Sequence, residues 1–261
     1  VKEHMPIFVD HQLQEQIPRD IFDFPIAFYC DELADLPNRA GPMHWHPCFE
    51  IATAQNGVLD YQVGQTHTIL EPGDSIFVNP NMLHGIRQVS GIEPDHLPII
   101  IFSGTVIASE NSVIYQKYIQ PISSCDSLPC VVFRHDNGLW KDVHQRINAT
   151  YRAMREQSDC YELVVQRNIC YVLEAIFRNF DSLPKSEASR VQLNTQVRLQ
   201  KMLSYIYENY ARTVTLADIA GAANISRSEA GRCFQSYLGY SPVETLIHYR
   251  LQAAQRLLQQ T

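Results

Sequence analysis

The sequence predicts a multidomain β + α chain, with an antiparallel β-domain first, a helical hairpin next and an all-α domain last. Between residues 24 and 133, short β-branched and aromatic runs recur between turn signals such as Asn56-Gly57. From Gly138 onward the apolar residues recur with a helical period instead. The predicted units are the β-domain at 1–136, the hairpin at 137–182, a polar linker at 183–194 and the helical domain at 195–261.

The β-domain is predicted from apolar runs that each have the length of a single strand. The runs lie at residues 25–30, 49–53, 58–63, 75–78 and 97–102. Many short strands at this spacing are typical of an antiparallel sandwich or barrel.

The hairpin is predicted from two helical patterns joined by a short polar loop at Ser158-Asp159. The second helix has an apolar stripe made of Val165, Ile169, Val172, Leu173, Ile176 and Phe180. The stripe predicts that this face of the helix is buried, but it does not identify the surface that covers it. Either the hairpin only covers the sheet, or its outer face also pairs with a second subunit and makes a homodimer.

Composition and charge favour a folded protein with a mildly basic C-terminal end. Hydrophobic residues make up 45% of the 261 residues, charged residues 19%, and the formal net charge is -7. Residues 186–261 nevertheless carry 8 Lys and Arg against 5 Asp and Glu. The seven cysteines are scattered without a Cys-x-x-Cys pair, and no run is long and apolar enough to cross a membrane. We therefore expect a soluble, cytoplasmic protein with no membrane partner.

The helical domain contains three predicted helix starts, each with a capping residue and an acid three residues later. The pairs are Thr215 with Asp218, Ser226 with Glu229, and Ser241 with Glu244. The helix that begins after Thr215 and the helix that begins after Ser226 are predicted to share a small apolar wedge. Its residues are Ile219, Ala220, Ile225, Ala230 and Phe234. Two short helices in this relation form a helix-turn-helix.

With the wedge buried, a polar strip is left on the outside of the second helix of this pair. The strip predicts contacts to double-stranded DNA by Ser226, Arg227, Ser228, Arg232 and Gln235. Arginine can pair bidentately with guanine and glutamine with adenine in the major groove. The alternative is a helix face that is merely solvated, which is the usual role of a polar strip.

The stretch from Thr213 to Leu258 resembles the AraC/XylS family of bacterial transcription regulators. The resemblance lies in Leu216-x-x-Ile-Ala220, Ile225-Ser-Arg-Ser228, Arg232-x-Phe234, Leu238-Gly-x-Ser-Pro242 and Tyr249-Arg-Leu251. Two positions depart from the pattern, since Ala230 stands where the family often has leucine and Gly231 lies inside the helix that would contact DNA. The resemblance implies a second helix-turn-helix after the helix that begins at Pro242, but the sequence ends at Thr261. We therefore expect a fragment of a longer protein, a naturally short chain being the alternative.

Within the β-domain, three histidines and a glutamate form a candidate metal set. His44, His46 and Glu50 are spaced to face one side of a single strand, and His84 is expected on a neighbouring strand. Imidazole and carboxylate ligands together suit a divalent transition metal such as zinc, nickel, iron or manganese. The arrangement resembles the two cupin motifs, and a cupin-like β-barrel is what the regulator family implies for a sensor domain.

The same interior is also suited to holding a small-molecule effector directly, without a metal. In that reading His44, His46, Glu50, Tyr61 and His84 supply hydrogen bonds and a stacking face, with carbohydrate as one effector class.

The leading hypothesis is therefore a ligand-responsive transcription regulator that is not an enzyme. The competing hypotheses are a metal-dependent cupin enzyme, with the same four residues around an open coordination site, and a dimeric scaffold that binds only protein.

Overall fold

The β-branched and aromatic runs of the N-terminal half form strands, including all five that were predicted. A computed structural model describes residues 9–16, 24–33, 36, 39–91, 96–185 and 188–259. The strands are β1 (Ile26–Glu32), β2 (Ala40–His44), β3 (Phe49–Thr53), β4 (Gly57–Val63), β5 (Thr66–Leu70), β6 (Ser75–Val78), β7 (His84–Gly91), β8 (His96–Phe102) and β9 (Cys130–Phe133).

These strands form two antiparallel sheets, so the predicted barrel is more accurately a sandwich. One sheet has the order β1-β8-β3-β6-β9 and the other has the order β2-β7-β4-β5. Alternate side chains of each strand point to opposite faces. Ala52 and Ile76 of the first sheet accordingly share a buried core with Leu59 and Leu70 of the second. This core forms the apolar layer between the two sheets.

The other face of the five-stranded sheet is covered by the helical hairpin, α2 (Lys141–Glu156) and α3 (Tyr161–Arg178). Ile51 and Phe77 of the sheet share a second core with Val165 and Ile169 of α3. The predicted apolar stripe therefore packs against the sheet. A short π-helical turn, Tyr115–Ile119, and the helix α1 (Gln120–Ser123) precede β9 and were not predicted from the sequence.

The C-terminal helices are α4 (Ala188–Asn209), α5 (Leu216–Ala222), α6 (Arg227–Leu238) and α7 (Pro242–Gln259). The linker prediction was too long, because residues 188–194 already belong to α4. Thr215 and Asp218 cap α5 reciprocally, and Ser241 and Glu244 cap α7 in the same way. Helix α6 ends at Gly239, whose φ of 73° is a left-handed conformation that glycine adopts without strain.

The C-terminal helices pack directly against one end of the four-stranded sheet. Leu83, immediately before β7, is buried in the same core as Leu199 of α4 and Phe234 of α6. The side chain of Gln196 accepts a hydrogen bond from the Leu83 N–H at 3.0 Å and donates one to the Asn81 carbonyl at 2.8 Å. Among the helices in the described ranges, none is both long and apolar enough to span a bilayer.

The hairpin is tied to the sheet by a buried hydroxyl, which gives a first prediction. The hydroxyl of Tyr151 on α2 donates to the Pro98 carbonyl at 3.1 Å and lies 2.9 Å from Thr53 Oγ1. Replacing Tyr151 by phenylalanine leaves these buried groups without that partner and should lower the free energy of unfolding by about 1–3 kcal/mol, measured by urea denaturation. The matched control is Tyr171→Phe, because the Tyr171 hydroxyl makes only an exposed 3.3 Å bond to Asp142. Equal losses in the two variants would contradict this role for Tyr151.

Candidate functional site

The predicted metal set converges at the end of the sandwich where the chain crosses between its sheets. His44 ends β2 and pairs directly opposite His84, the first residue of β7. Glu50 lies in β3, on the other sheet, and His46 lies in the bend between β2 and β3. The prediction that His44, His46 and Glu50 share one strand was therefore wrong. They meet because the crossing turns their side chains toward one point.

The four side chains are buried and their donor atoms are close together. Exposure is 6% for His44, 1% for His46, 2% for Glu50 and 1% for His84. Oε2 of Glu50 lies 3.3 Å from Nε2 of His46 and 3.4 Å from Nε2 of His84. One potential ligand atom from each of the four residues lies within 4.8 Å of the others.

Each histidine ring is oriented by a backbone carbonyl two residues away. Nδ1 lies 2.8 Å from the Pro42 carbonyl in His44, 3.0 Å from the Cys48 carbonyl in His46, and 2.8 Å from the Met82 carbonyl in His84. A carbonyl oxygen can only accept, so each Nδ1 carries the proton and donates it. The lone pair of each Nε2 is then directed at the shared point, as in metal-binding histidines that are oriented by a second hydrogen bond.

Tyr61 completes the predicted effector-binding set from β4. Its ring is 2% exposed and stacks parallel to His84, and its hydroxyl donates to Oε1 of Glu50. This bond occupies one carboxylate oxygen and leaves Oε2 toward the histidines. Trp45 lies outside the set, because its Nε1 donates to the carbonyl of Gln12 at 2.9 Å.

Burial and neighbouring side chains shift the pKa values of three members of the site, His44, Glu50 and Tyr61. Burial, together with the adjacent His84, lowers the pKa of His44 to about 3. Burial alone would raise the pKa of Glu50, but its interactions with His84 and His46 hold it well below its ordinary value. Burial and the Glu50 carboxylate raise the pKa of Tyr61 well above its ordinary value. At neutral pH His44 is thus a neutral base, Glu50 an anion and Tyr61 a hydrogen-bond donor.

These residues fit a divalent transition metal. Three imidazole nitrogens and a carboxylate oxygen face one buried point. Nε2 of His84 is buried and makes no hydrogen bond to any described residue.

The second predicted site, on α6, has the expected division into a buried and an exposed face. Ala230, Cys233, Phe234 and Tyr237 are buried. The predicted DNA contacts are exposed on the other side, and they are Ser226, Arg227, Ser228, Arg232 and Gln235. The Ile219 and Ala220 side of the wedge on α5 is buried as expected.

The cap at the start of α6 differs from the predicted capping box. Ser226 Oγ accepts a hydrogen bond from the Glu229 N–H at 3.1 Å, as expected. The Glu229 carboxylate does not return to the Ser226 N–H but pairs with Arg232 one turn later. A long exposed arginine at i+3 is a nearer electrostatic partner for the carboxylate than the backbone N–H.

Two groups near these sites were missed by the sequence reasoning. Glu15, which lies before β1, places its Oε2 3.7 Å from Nε2 of His44. Gln62 and Gln65 of the β4–β5 hairpin contact Ser236 in the last turn of α6. The sequence carries no local signal for either contact, because Glu15 and His44 are 29 positions apart and the two glutamines are 171 or more positions from Ser236.

Comparison with known proteins finds a family match within the N-terminal half and relatives that extend over the C-terminal half. Residues 34–93 match the family described as Cupin domain. The chain is 24% identical over 252 residues to the uncharacterized HTH-type transcriptional regulator YdeC of Bacillus subtilis (strain 168), covering 96% of this chain and 84% of that protein. It is 26% identical over 142 residues to the lactose operon transcription activator of Staphylococcus xylosus, covering 54% of this chain and 48% of that protein.

Among solved structures, unsaturated fatty acid-bound wild-type ToxT from Vibrio cholerae strain SCE256 is similar with a TM-score of 0.39 and 8% identity. The similarity covers 85% of this chain and 94% of that one.

Proposed function

We propose that this chain is an AraC-type helix-turn-helix transcription regulator with an N-terminal cupin domain, in which α6 reads DNA and the sandwich interior senses a small molecule. The C-terminal motif predicted this family, and similarity to an HTH-type transcriptional regulator over 96% of the chain supports it. Because these relatives are regulators, the alternative of a metal-dependent cupin enzyme is not adopted.

The observation that carries the DNA-binding proposal is the exposed polar strip on α6, opposite the buried wedge. Arg227 and Ser228 lie in the first turn of α6 and are exposed. The first residues of a recognition helix are those that contact base edges when the helix enters the major groove. The N-terminal end of α6 is also favourable for phosphate, because its backbone N–H groups point outward.

This proposal predicts a specific loss of DNA affinity in Arg227→Ala. A duplex can be selected from a random library with the wild-type chain, and the dissociation constant then measured by fluorescence anisotropy at several salt concentrations. Removing a base-pairing arginine should weaken specific binding by about 1–3 kcal/mol and relax sequence preference at one position.

The matched control is Arg155→Ala, which removes the same charge from the exposed last turn of α2. It should leave the affinity and its salt dependence unchanged. If Arg227→Ala binds every duplex as the wild type does at all salt concentrations, α6 does not read DNA through this residue.

For the sandwich interior, we propose that the buried cluster binds a divalent transition metal as part of the sensor. The support is the orientation of three Nε2 lone pairs by backbone carbonyls and the burial of the Glu50 carboxylate between them. A bound metal would supply a Lewis-acidic centre to which an effector oxygen could bind. Here His44, His46, Glu50 and His84 would hold the metal, and Tyr61 would orient Glu50. Direct binding of a polar effector such as a carbohydrate by the same five side chains is the second candidate.

The metal proposal predicts about one metal ion per chain in protein loaded with zinc, iron, nickel or manganese and then desalted, measured by elemental analysis. His46→Ala should lose most of this metal, because it removes one of three imidazole ligands. The matched control is His67→Ala, since His67 is an exposed histidine of β5 that pairs with Asp60. Metal well below one ion per chain in the wild type, or unchanged in His46→Ala, would leave direct effector binding as the function of the cluster.

We also propose that the chain forms a homodimer through the outer face of α3. Its exposed stripe includes Leu163, Arg167, Cys170 and Glu174. If two copies of α3 cross antiparallel near Cys170, Arg167 of each faces Glu174 of the other. A two-fold interface needs this kind of self-complementarity.

The dimer proposal predicts that Arg167→Glu shifts the protein toward monomer at micromolar concentration, measured by sedimentation velocity. The double variant Arg167→Glu with Glu174→Arg should restore the dimer, because the swapped charges are complementary again. Failure of the double variant to regain the dimer, after loss in the single variant, would place the interface elsewhere. An unaffected single variant would do the same.

A further inference from the structure

A short N-terminal segment, residues 9–16, lies against the metal cluster and brings another carboxylate to it. The backbone of the segment is paired with Trp45, since the Glu15 N–H donates to the Trp45 carbonyl at 3.0 Å and the Trp45 N–H donates to the Leu13 carbonyl at 2.9 Å. Trp45 stands between His44 and His46, so this pairing places Glu15 beside both histidines. The Glu15 side chain is 9% exposed.

The carboxylate of Glu15 approaches the same nitrogen atoms that face the shared point. Its Oε2 lies 3.7 Å from Nε2 of His44 and 4.0 Å from Nε2 of His46. Ligands at about 2.1 Å from one metal ion are separated from one another by about 3–4 Å at ordinary bond angles. The two distances, and the 3.3 and 3.4 Å distances within the cluster, all fall in that range.

We propose that Glu15 is a fifth ligand of the metal, supplied by the N-terminal segment rather than by the cupin motifs. The proposal rests on metal binding by the cluster, as proposed above. Two carboxylates together with three neutral imidazoles would carry two negative charges, which balance the charge of a divalent ion. A second carboxylate also makes the set harder and so more favourable to manganese or iron than three imidazoles with one carboxylate.

The charge of the site supports this role for Glu15. Oε2 of Glu50 lies 3.3 Å from Nε2 of His46, and Oε2 of Glu15 lies 4.0 Å from the same atom, so both buried carboxylates face one nitrogen. Two buried carboxylates close together are costly unless a cation lies between or beside them. A divalent ion at the shared point would satisfy both carboxylates.

The test is titration of chelator-treated full-length protein with Co²⁺, whose d–d absorption reports the ligands directly. Glu15→Gln keeps the size of the side chain but removes its charge, and it should weaken Co²⁺ binding by on the order of tenfold or more and change the absorption spectrum. Glu15→Asp, which keeps the carboxylate on a shorter side chain, should bind with intermediate affinity. The matched control is Glu71→Gln, because Glu71 is exposed and lies beyond the end of β5, and it should bind as the wild type does.

The outcomes separate this proposal from metal binding itself. If wild type and Glu71→Gln bind Co²⁺ and Glu15→Gln binds it with the same affinity and spectrum, Glu15 is not a ligand although the metal site stands. If the wild type binds no Co²⁺, both proposals are overturned. Circular dichroism shows whether each variant is folded. If Glu15→Gln is not folded, the comparison of Glu15→Asp with wild type decides, and an identical affinity and spectrum would overturn the proposal.

Discussion

The arrangement of this protein depends on the start of β7, where two consecutive residues serve two different cores. His84 points into the cluster between the sheets, and Leu83 is buried in the core of the C-terminal helices. Consecutive side chains of an extended chain point in opposite directions, so one backbone step separates the two environments. The Leu83 N–H is also bonded to Gln196 of α4. A shift of β7 would therefore change the packing in both cores, so β7 physically connects the β-sandwich to the C-terminal helices.

The electrostatics of the cluster follow from its burial combined with backbone hydrogen bonds. Buried histidines lose their charge more readily than exposed ones, and the carbonyls of Pro42, Cys48 and Met82 fix which nitrogen keeps the proton. In each of the three rings, Nε2 is the nitrogen that faces the centre of the cluster. A cluster built in this way is organised before any ligand arrives, because each ring is held by its own neighbouring backbone rather than by the ligand.

Much of the fold was predictable because it depends on local patterns. The five strand runs, the apolar stripe of α3 and the caps at Thr215 and Ser241 are each set by residues close together in the sequence. The membership of the four-residue cluster was also predictable, since the resemblance to the cupin motifs includes all four residues. Its geometry was not, because the chain leaves one sheet for the other between His44 and Phe49, and a regular period of two cannot reveal such a crossing. Contacts between distant segments, such as Gln196 with Leu83, have no local signature at all.

The structure also ranks the predicted DNA contacts, which the sequence could not do. The amide of Gln235 donates to the Gly239 carbonyl at the end of α6, so it already has a partner within its own helix. Arg232 is paired with Glu229 and would have to leave that carboxylate to reach a base. The neighbouring Ser236 contacts the β4–β5 hairpin, which brings the sandwich close to the C-terminal end of α6. Arg227 lies at the opposite end of the helix, in its first turn. In recognition helices the N-terminal residues are the ones that contact base edges in the major groove. For the proposed contact of α6 with DNA, the geometry therefore favours Arg227 over Arg232 and Gln235 as the residue that reaches a base.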